Sequence, residues 1–447
     1  MLGRLIRTAV WTAIIVAASA PAQTPPASPA QPDAALPVAP APSSPVEAYY
    51  AARPSSIWLV GSDTRAAAEK LPALFRAAIV DGFDGPALAA SVEAALAGGQ
   101  PSDDRIISAA WVRFVQALSS PVAGINYGDP ALKLKAPSAA AILSQAAAAP
   151  SLAAHVDGVA AVNPFYAVLH DAAVKENATG DPRVRATLDR LRLIPATGHA
   201  IVVDVASAQL WMVEDGRIID SMKVIVGKTT SPTPLLAGTI HYVTFNPYWH
   251  ILDEVAQRKV APIVLKRGVK YLKAARYETV SDWTTSDAVD PAAVDWKAVA
   301  DGSRQVFIRQ LPGAHNMMGA MKFSFENEFD IFLHDTPHRE LFAKAKRTLS
   351  LGCIRLEHAD RLAQWLLGRD PAAPTNTPEL NVQLDKGVPV YITYLTANVR
   401  DAQLTFADDI YALDSPAVAV ASSEPPAQAA EDLAKVDPAS SSASAKP

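Results

Sequence analysis

Apolar residues recur at intervals of three and four through residues 47–195, and at intervals of two from about Gly198 onward. In the first stretch Ala66, Ala67 and Ala68 lead into Leu74, Phe75 and Ala78, and Leu88, Val92 and Leu96 repeat the spacing. Ile106 and Ile107 run on through Trp111, Phe114 and Leu118, and residues 183–193 place Leu188 and Leu191 on one side. A period near 3.6 puts such residues on one helix face. The turn cluster Asp81-Gly82-Phe83-Asp84-Gly85-Pro86 separates two of these segments. The pattern predicts an all-α half whose apolar residues pack as core.

From Gly198 the texture is that of strands. Residues 200–205 and 209–213 are strand-like, Glu214-Asp215-Gly216-Arg217 reads as a hairpin turn, and residues 218–226 return from it. Further strands are predicted at 239–245, 305–309, 330–334, 388–395 and 402–406, with helices at 339–346 and 358–367. The second helix turns Leu362, Trp365 and Leu366 inward. Residues 253–302 are more polar, helical over 253–266, and read as an inserted lid. Many short strands with tight turns and few helices make this half mostly β.

Composition changes the picture at the two ends. Arg4 and Arg7 precede an apolar stretch from Ala9 to Ala18 and small-residue patterns ending at Ala20 or Ala22, which together read as an export signal over residues 1–22. A cut after Ala20 would leave Pro21 first, so the cut is expected after Ala22; an uncleaved signal would be a membrane anchor. The stretch falls short of the roughly 20 residues of a permanent span. Residues 23–46 are almost wholly Pro, Ala, Ser and Gln and read as a spacer, and residues 414–447 as a tail of like composition. Between the ends lies enough chain for two domains, 47–195 and 196–413. Without Arg4 and Arg7, 38 basic residues face 45 acidic ones with no long basic block, which argues against nucleic acid as partner. His334 and His338 stand on metal-ligand spacing, but no Glu-x-x-His or Cys-x-x-Cys accompanies them, so no metal site is expected.

Cys353 is the sole cysteine, in the run Ser350-Leu351-Gly352-Cys353-Ile354-Arg355. An exported chain normally pairs its cysteines; a lone thiol is either buried and inert or in use. His334 ends an apolar strand 19 residues upstream, within reach of a returning loop. Such an imidazole can take the proton of a thiol whose ordinary pKa, about 8.5, leaves it mostly un-ionised at neutral pH. Gly352 allows close approach of backbone N–H groups to a developing oxyanion. A buried cysteine and a satisfied strand-end histidine account for the same spacing.

The wider sequence separates the two readings. Ile331-Phe332-Leu333-His334-Asp335-Thr336-Pro337, Leu341-Phe342 and residues 347–355 together resemble the catalytic signature of the L,D-transpeptidases, exported cysteine enzymes that cross-link or modify peptidoglycan. The likeness extends to Arg309-Gln310-Leu311-Pro312-Gly313, Asn316, Gly319, Lys322-Phe323-Ser324-Phe325, Val226-Gly227-Lys228, Thr233-Pro234 and Phe245-Asn246-Pro247-Tyr248-Trp249. It is similar to the large gram-negative type and implies an α+β multidomain fold: an all-α scaffold domain followed by a mostly-β catalytic domain with an inserted lid.

The resemblance implies roles residue by residue. Cys353 attacks the meso-diaminopimelate carbonyl of a donor tetrapeptide stem and expels D-alanine. His334 serves as proton donor and acceptor, oriented by a backbone carbonyl, which leaves Asp335 structural. Backbone N–H groups near Gly352 and Cys353 hold the oxyanion. Arg355 either contacts the substrate or braces the loop; Ser350, Asn316 and Lys322 shape the substrate pocket; Thr336, Tyr248 and Trp249 line a groove or pack as loop and core. No cofactor and no metal are implied. The implied location is the periplasm, the implied partners are peptidoglycan stem peptides, and carbapenem β-lactams are implied inhibitors. The acyl acceptor stays open: a second stem's amine gives a 3→3 cross-link, the N-terminus of an outer-membrane protein gives an anchored protein, and water gives an L,D-carboxypeptidase. A chain that kept the fold without activity would be a wall-binding scaffold. Two departures are expected to matter. Leu351 stands where many relatives carry a polar residue or histidine, and residues 163–183 show no inserted polymer-binding module.

Overall fold

A computed structural model describes residues 44–100, 102–371 and 375–414. The predicted export signal, nearly all of the spacer, and the tail beyond Asp414 lie outside the described residues. Two boundaries shift. The first helix starts at Pro45, with Ser44 Oγ accepting the Glu47 N–H at 3.2 Å, so Pro45 and Val46 belong to folded chain. Asp414 is buried and paired with Arg190 at 2.7 Å, so the folded region includes it.

The first half holds the helices Pro45–Ala52, Ser62–Ala77, Gly85–Gly98, Asp103–Leu118, Ala139–Ala148, Leu152–Ala161, Pro164–Lys175 and Pro182–Leu191. Their starts follow from local chemistry. Asp84, Ser138, Ser151, Asn163 and Asp181 each accept a first-turn N–H. Proline at the first turn costs no hydrogen bond there. One correction applies to the all-α expectation: a two-residue strand, β1 (Asn126–Tyr127), leaves the helices and pairs with the second half.

The strands of the second half are β2 (His199–Asp204), β3 (Gln209–Glu214), β4 (Arg217–Gly227), β5 (Leu236–Phe245), β6 (Trp249–His250), β7 (Tyr277–Val280), β8 (Phe307–Gln310), β9 (Met321–Ser324), β10 (Phe332–His334), β11 (Thr348–Ser350), β12 (Ile354–Leu356), β13 (Leu380–Thr393), β14 (Ala397–Arg400) and β15 (Gln403–Phe406). The main sheet runs β5-β13-β2-β3-β4-β12-β10-β9, and β9 pairs back onto β5, so the path closes on itself. Strand periodicity then sends alternate side chains inward and outward. Ile201, Val203, Leu210, Met212, Val390 and Ile392 enter the interior with Phe323, Leu333, Ile354 and Leu356. Their neighbours Ala200, Val202, Val213, Ala237 and Tyr391 pack into the same cluster as the scaffold helices. The helical half therefore covers one outer face of the closed sheet, and the two halves share a core.

The lid is framed by the small sheet β6-β8-β7, and its own core includes Ile251, Val260, Val264, Leu272, Trp296 and Ile308. The helix expected over 253–266 contains a wider π-type turn, Ala256–Val260, between Asp253–Val255 and Ala261–Arg267. The helix expected at 339–346 is a single tight turn, Arg339–Ala343. The helix Ala359–Leu367 buries Leu362, while Trp365 donates its Nε1–H to Glu214 at 2.7 Å.

Candidate active site

Three neighbouring strands bring the expected reacting groups together. β10 and β12 run parallel with Leu333 opposite Ile354 and His334 opposite Arg355; β9 runs antiparallel to β10 with Lys322 opposite His334. Leu333, Ile354 and Phe323 point into the sheet interior. By alternation Lys322, His334 and Arg355 form a row on the outer face. Cys353 precedes Ile354 at the level of Phe332, and the Phe332 backbone N–H reaches its thiol. The Cys353 Sγ lies 3.7 Å from the Asp330 carbonyl oxygen. Cys353 is half-buried and His334 buried.

The orientation of His334 is set by its own backbone. Its Nδ1 lies 2.6 Å from the Asp335 carbonyl oxygen, an acceptor, so Nδ1 carries the proton and Nε2 has a free lone pair. The Asp335 carboxylate accepts the Ala320 N–H at 2.8 Å and pairs with Arg339 at 2.5 Å. It supports the loop rather than the imidazole.

Charge and burial shape the pair. Burial drives the His334 pKa down to about 3; Arg355 and Lys322 lower it further, and the Asp335 carbonyl opposes them. Burial likewise pushes the Cys353 thiol up to about 11, with the Asp330 charge adding to it, while the Phe332 amide, Arg355 and Lys322 pull it down. Both groups rest neutral at pH 7. The two cations favour a thiolate and oppose an imidazolium, which biases the site toward thiolate formed as the proton departs. Arg355 is itself held below its usual pKa by burial, and its buried Nε–H has no hydrogen-bond partner among the described residues. Lys322 Nζ sits 3.8 Å from Glu379 and 5.7 Å from the Phe332 ring centroid.

The remaining predicted residues divide. Ser350 is buried; its Oγ accepts the Gly352 N–H at 3.1 Å and its carbonyl accepts the Lys228 N–H at 3.0 Å, so it shapes the nucleophile loop from within. Gly352, expected as an oxyanion donor, has its own amide engaged by that serine, which leaves the next amide, of Cys353, as the candidate. Asn316, expected to shape the pocket, acts as a loop brace. It is 1% exposed; its Nδ2 donates to the carbonyls of Pro247, Gln310 and Leu311, each at 3.1 Å, and its Oδ1 accepts the Met318 N–H. Thr336 is likewise 1% exposed, with Oγ1 accepting the His338 N–H, so it lines no groove. Tyr248 is half-buried beneath the Arg309 guanidinium, 4.3 Å from ring centroid to Cζ, whereas Trp249 packs into the lid core. Among the described residues no group of three His, Cys, Asp or Glu side chains is placed to hold a metal.

Sequence reasoning missed Glu379, which accepts the Tyr248 N–H at 2.7 Å, and Thr233 and Tyr411, which bond around the nucleophile loop. Thr233 stood in a recognisable motif without a role. Nothing local marks Glu379 or Tyr411.

Residues 198–392 match the family described as the L,D-transpeptidase catalytic domain, and residues 44–172 match a family described as a Scaffold domain. A curated protein of Haemophilus influenzae named "Putative L,D-transpeptidase" is 32% identical over 234 residues, covering 50% of this chain and 46% of that protein. The chain thus spans about half the length of the curated relative it matches. An L,D-transpeptidase structure from Mycobacterium smegmatis is 13% identical over 44% of this chain and 59% of that one, with a TM-score of 0.23. An L,D-transpeptidase solved with imipenem is 10% identical over the same shares, with a TM-score of 0.22.

Proposed function

We infer, from a chain that carries an L,D-transpeptidase catalytic domain behind a Scaffold domain, that Cys353 is the acyl carrier of a periplasmic peptidoglycan transpeptidase. The observation that carries this reading is the register of β10 on β12. It sets His334, its Nδ1 pinned by the Asp335 carbonyl, two residues from the level of Cys353 on the same strand face and beside Arg355. An inert buried cysteine needs neither a fixed imidazole tautomer nor two cations.

The chemistry follows from these groups. As the Cys353 Sγ bonds to the carbonyl carbon of meso-diaminopimelate in a tetrapeptide stem, its proton passes to His334 Nε2. The carbonyl electron pair moves onto oxygen, which the Cys353 amide stabilises. Collapse breaks the bond to the terminal D-alanine, whose amine takes the proton from His334, and a thioester remains. An acceptor amine from a second stem then gives its proton to His334 and attacks the thioester, forming a 3→3 cross-link and returning the thiol. The partnerless Nε–H of Arg355 and the charge of Lys322 suit a donor stem that carries a carboxylate beside the reacting carbonyl. The export signal read over residues 1–22 supports a location outside the cytoplasm.

Purified full chain incubated with tetrapeptide muropeptides tests the reading, with products read by mass. Cross-linked dimers and free D-alanine are expected. Tripeptide alone would make the protein an L,D-carboxypeptidase, and a stem joined to an outer-membrane protein N-terminus would make it an anchoring enzyme. No product and no carbapenem adduct would leave an inactive wall-binding scaffold.

A further inference from the structure

Thr233 lies in the loop after β4 and is 1% exposed. Its hydroxyl accepts the Gly227 N–H at 2.9 Å and lies 2.6 Å from the Gly352 carbonyl oxygen. A hydroxyl has one proton to give, and with an N–H donating into it that proton goes to Gly352. The Gly352 carbonyl belongs to the same peptide unit as the Cys353 N–H. A planar trans peptide points those two groups in opposite directions. Fixing the carbonyl on Thr233 therefore aims the Cys353 N–H away from the β4 loop.

The need for such a tether is written into Gly352. Its φ is +126°, a conformation open chiefly to glycine, where rotation of the flanking peptide meets little steric resistance. Its own N–H is taken by Ser350 Oγ on the other side. The tether is braced in turn. Tyr411 donates its hydroxyl to the Gly227 carbonyl at 2.5 Å and accepts the Thr233 N–H at 3.3 Å. The Tyr411 ring stacks on Tyr394 with centroids 5.7 Å apart, and its backbone N–H donates to the Tyr394 hydroxyl at 2.9 Å.

We propose that Thr233 is a positioning residue for acyl transfer: its hydroxyl, braced by Tyr411, holds the Gly352–Cys353 peptide in the orientation that presents the Cys353 N–H to the developing oxyanion. The inference rests on the reading of Cys353 as acyl carrier. It separates two reactions of one thiol. Attack on a β-lactam carbonyl develops an oxyanion and needs the donor. Alkylation by iodoacetamide forms an S–C bond as iodide leaves, develops no oxyanion and needs only the thiolate.

The test compares carbapenem acylation and iodoacetamide alkylation of the full chain by mass. Thr233→Val is expected to slow acylation by roughly a hundredfold, the lower end of what loss of an oxyanion donor costs. Its alkylation rate should stay within about twofold of wild type, since nucleophilicity depends on the thiolate. Thr233→Ser, which keeps the hydroxyl, should restore acylation to near the wild-type rate. Should Thr233→Val fail to fold, Tyr411→Phe is read the same way, with an expected loss of about tenfold in acylation alone. Acylation at the wild-type rate in the hydroxyl-less variant, or an equal fall in both rates, would overturn the proposal. A carbapenem adduct on Cys353→Ala, or a wild type that iodoacetamide labels and carbapenem never does, would instead overturn the acyl-carrier reading and this inference with it.

Discussion

The thiol and imidazole of this site sit far from their ordinary titration ranges, in opposite directions. With the Cys353 pKa near 11 and that of His334 near 3, a standing thiolate–imidazolium pair is absent at neutral pH. The alkylation rate of Cys353 should therefore rise about tenfold per pH unit from pH 7 to 10, following thiolate fraction. A rate that levels off below pH 8 would contradict this. Arg355→Met removes a charge that lowers both pKa values, so it should shift the alkylation profile upward by about one unit, the size of effect expected from a close cation. These candidate residues stood out in the sequence because a short motif carries cysteine, glycine and arginine together. The roles of Asn316 and Thr336 stayed open because a polar residue in a motif looks the same whether it faces substrate or backbone. Only the packing of Pro247, Gln310 and Leu311 around Asn316 decides.

Between elements, the nucleophile loop touches the lid. Leu351 packs against the lid core. Leu351→Asn should leave the main sheet intact and weaken that docking, seen as faster amide hydrogen exchange in residues 249–310. Unchanged exchange there would show the contact to be idle. Asn316→Ala leaves three carbonyls without their donor and should cost about 1–3 kcal/mol in urea unfolding. The strongly periodic helices and the hairpin of β3 and β4 were readable from spacing. The three-residue strands β10, β11 and β12 were harder, since so few residues carry no period of their own. The closure of β5 onto β9 was not readable at all, because that register comes from the ring as a whole.

At the scale of the whole molecule, scaffold and catalytic halves share a core and a buried ion pair, Arg190 with Asp414. Ala200, Val202, Val213, Ala237 and Tyr391 face the helices, so residues 196–414 produced alone should expose that face and aggregate, and the full chain should unfold in one transition. Arg190 joins the Tyr394 carbonyl and Asp414, both at 2.7 Å. Arg190→Met would strand a buried carboxylate at a cost of about 3–5 kcal/mol, measurable as a lower urea midpoint. The α+β character of the chain was plain from its change of period, but this shared core was not, since each half reads as self-sufficient. The placement of Tyr411 adds a temporal meaning. Cys353 is made 58 residues before the tyrosine that braces its loop, and β13, which joins β2 to β5, also arrives after it. If Cys353 carries the acyl group of a chain exported with its N-terminus leading, its loop would stay unbraced until the far end had arrived, and the order of synthesis would work as a safety catch.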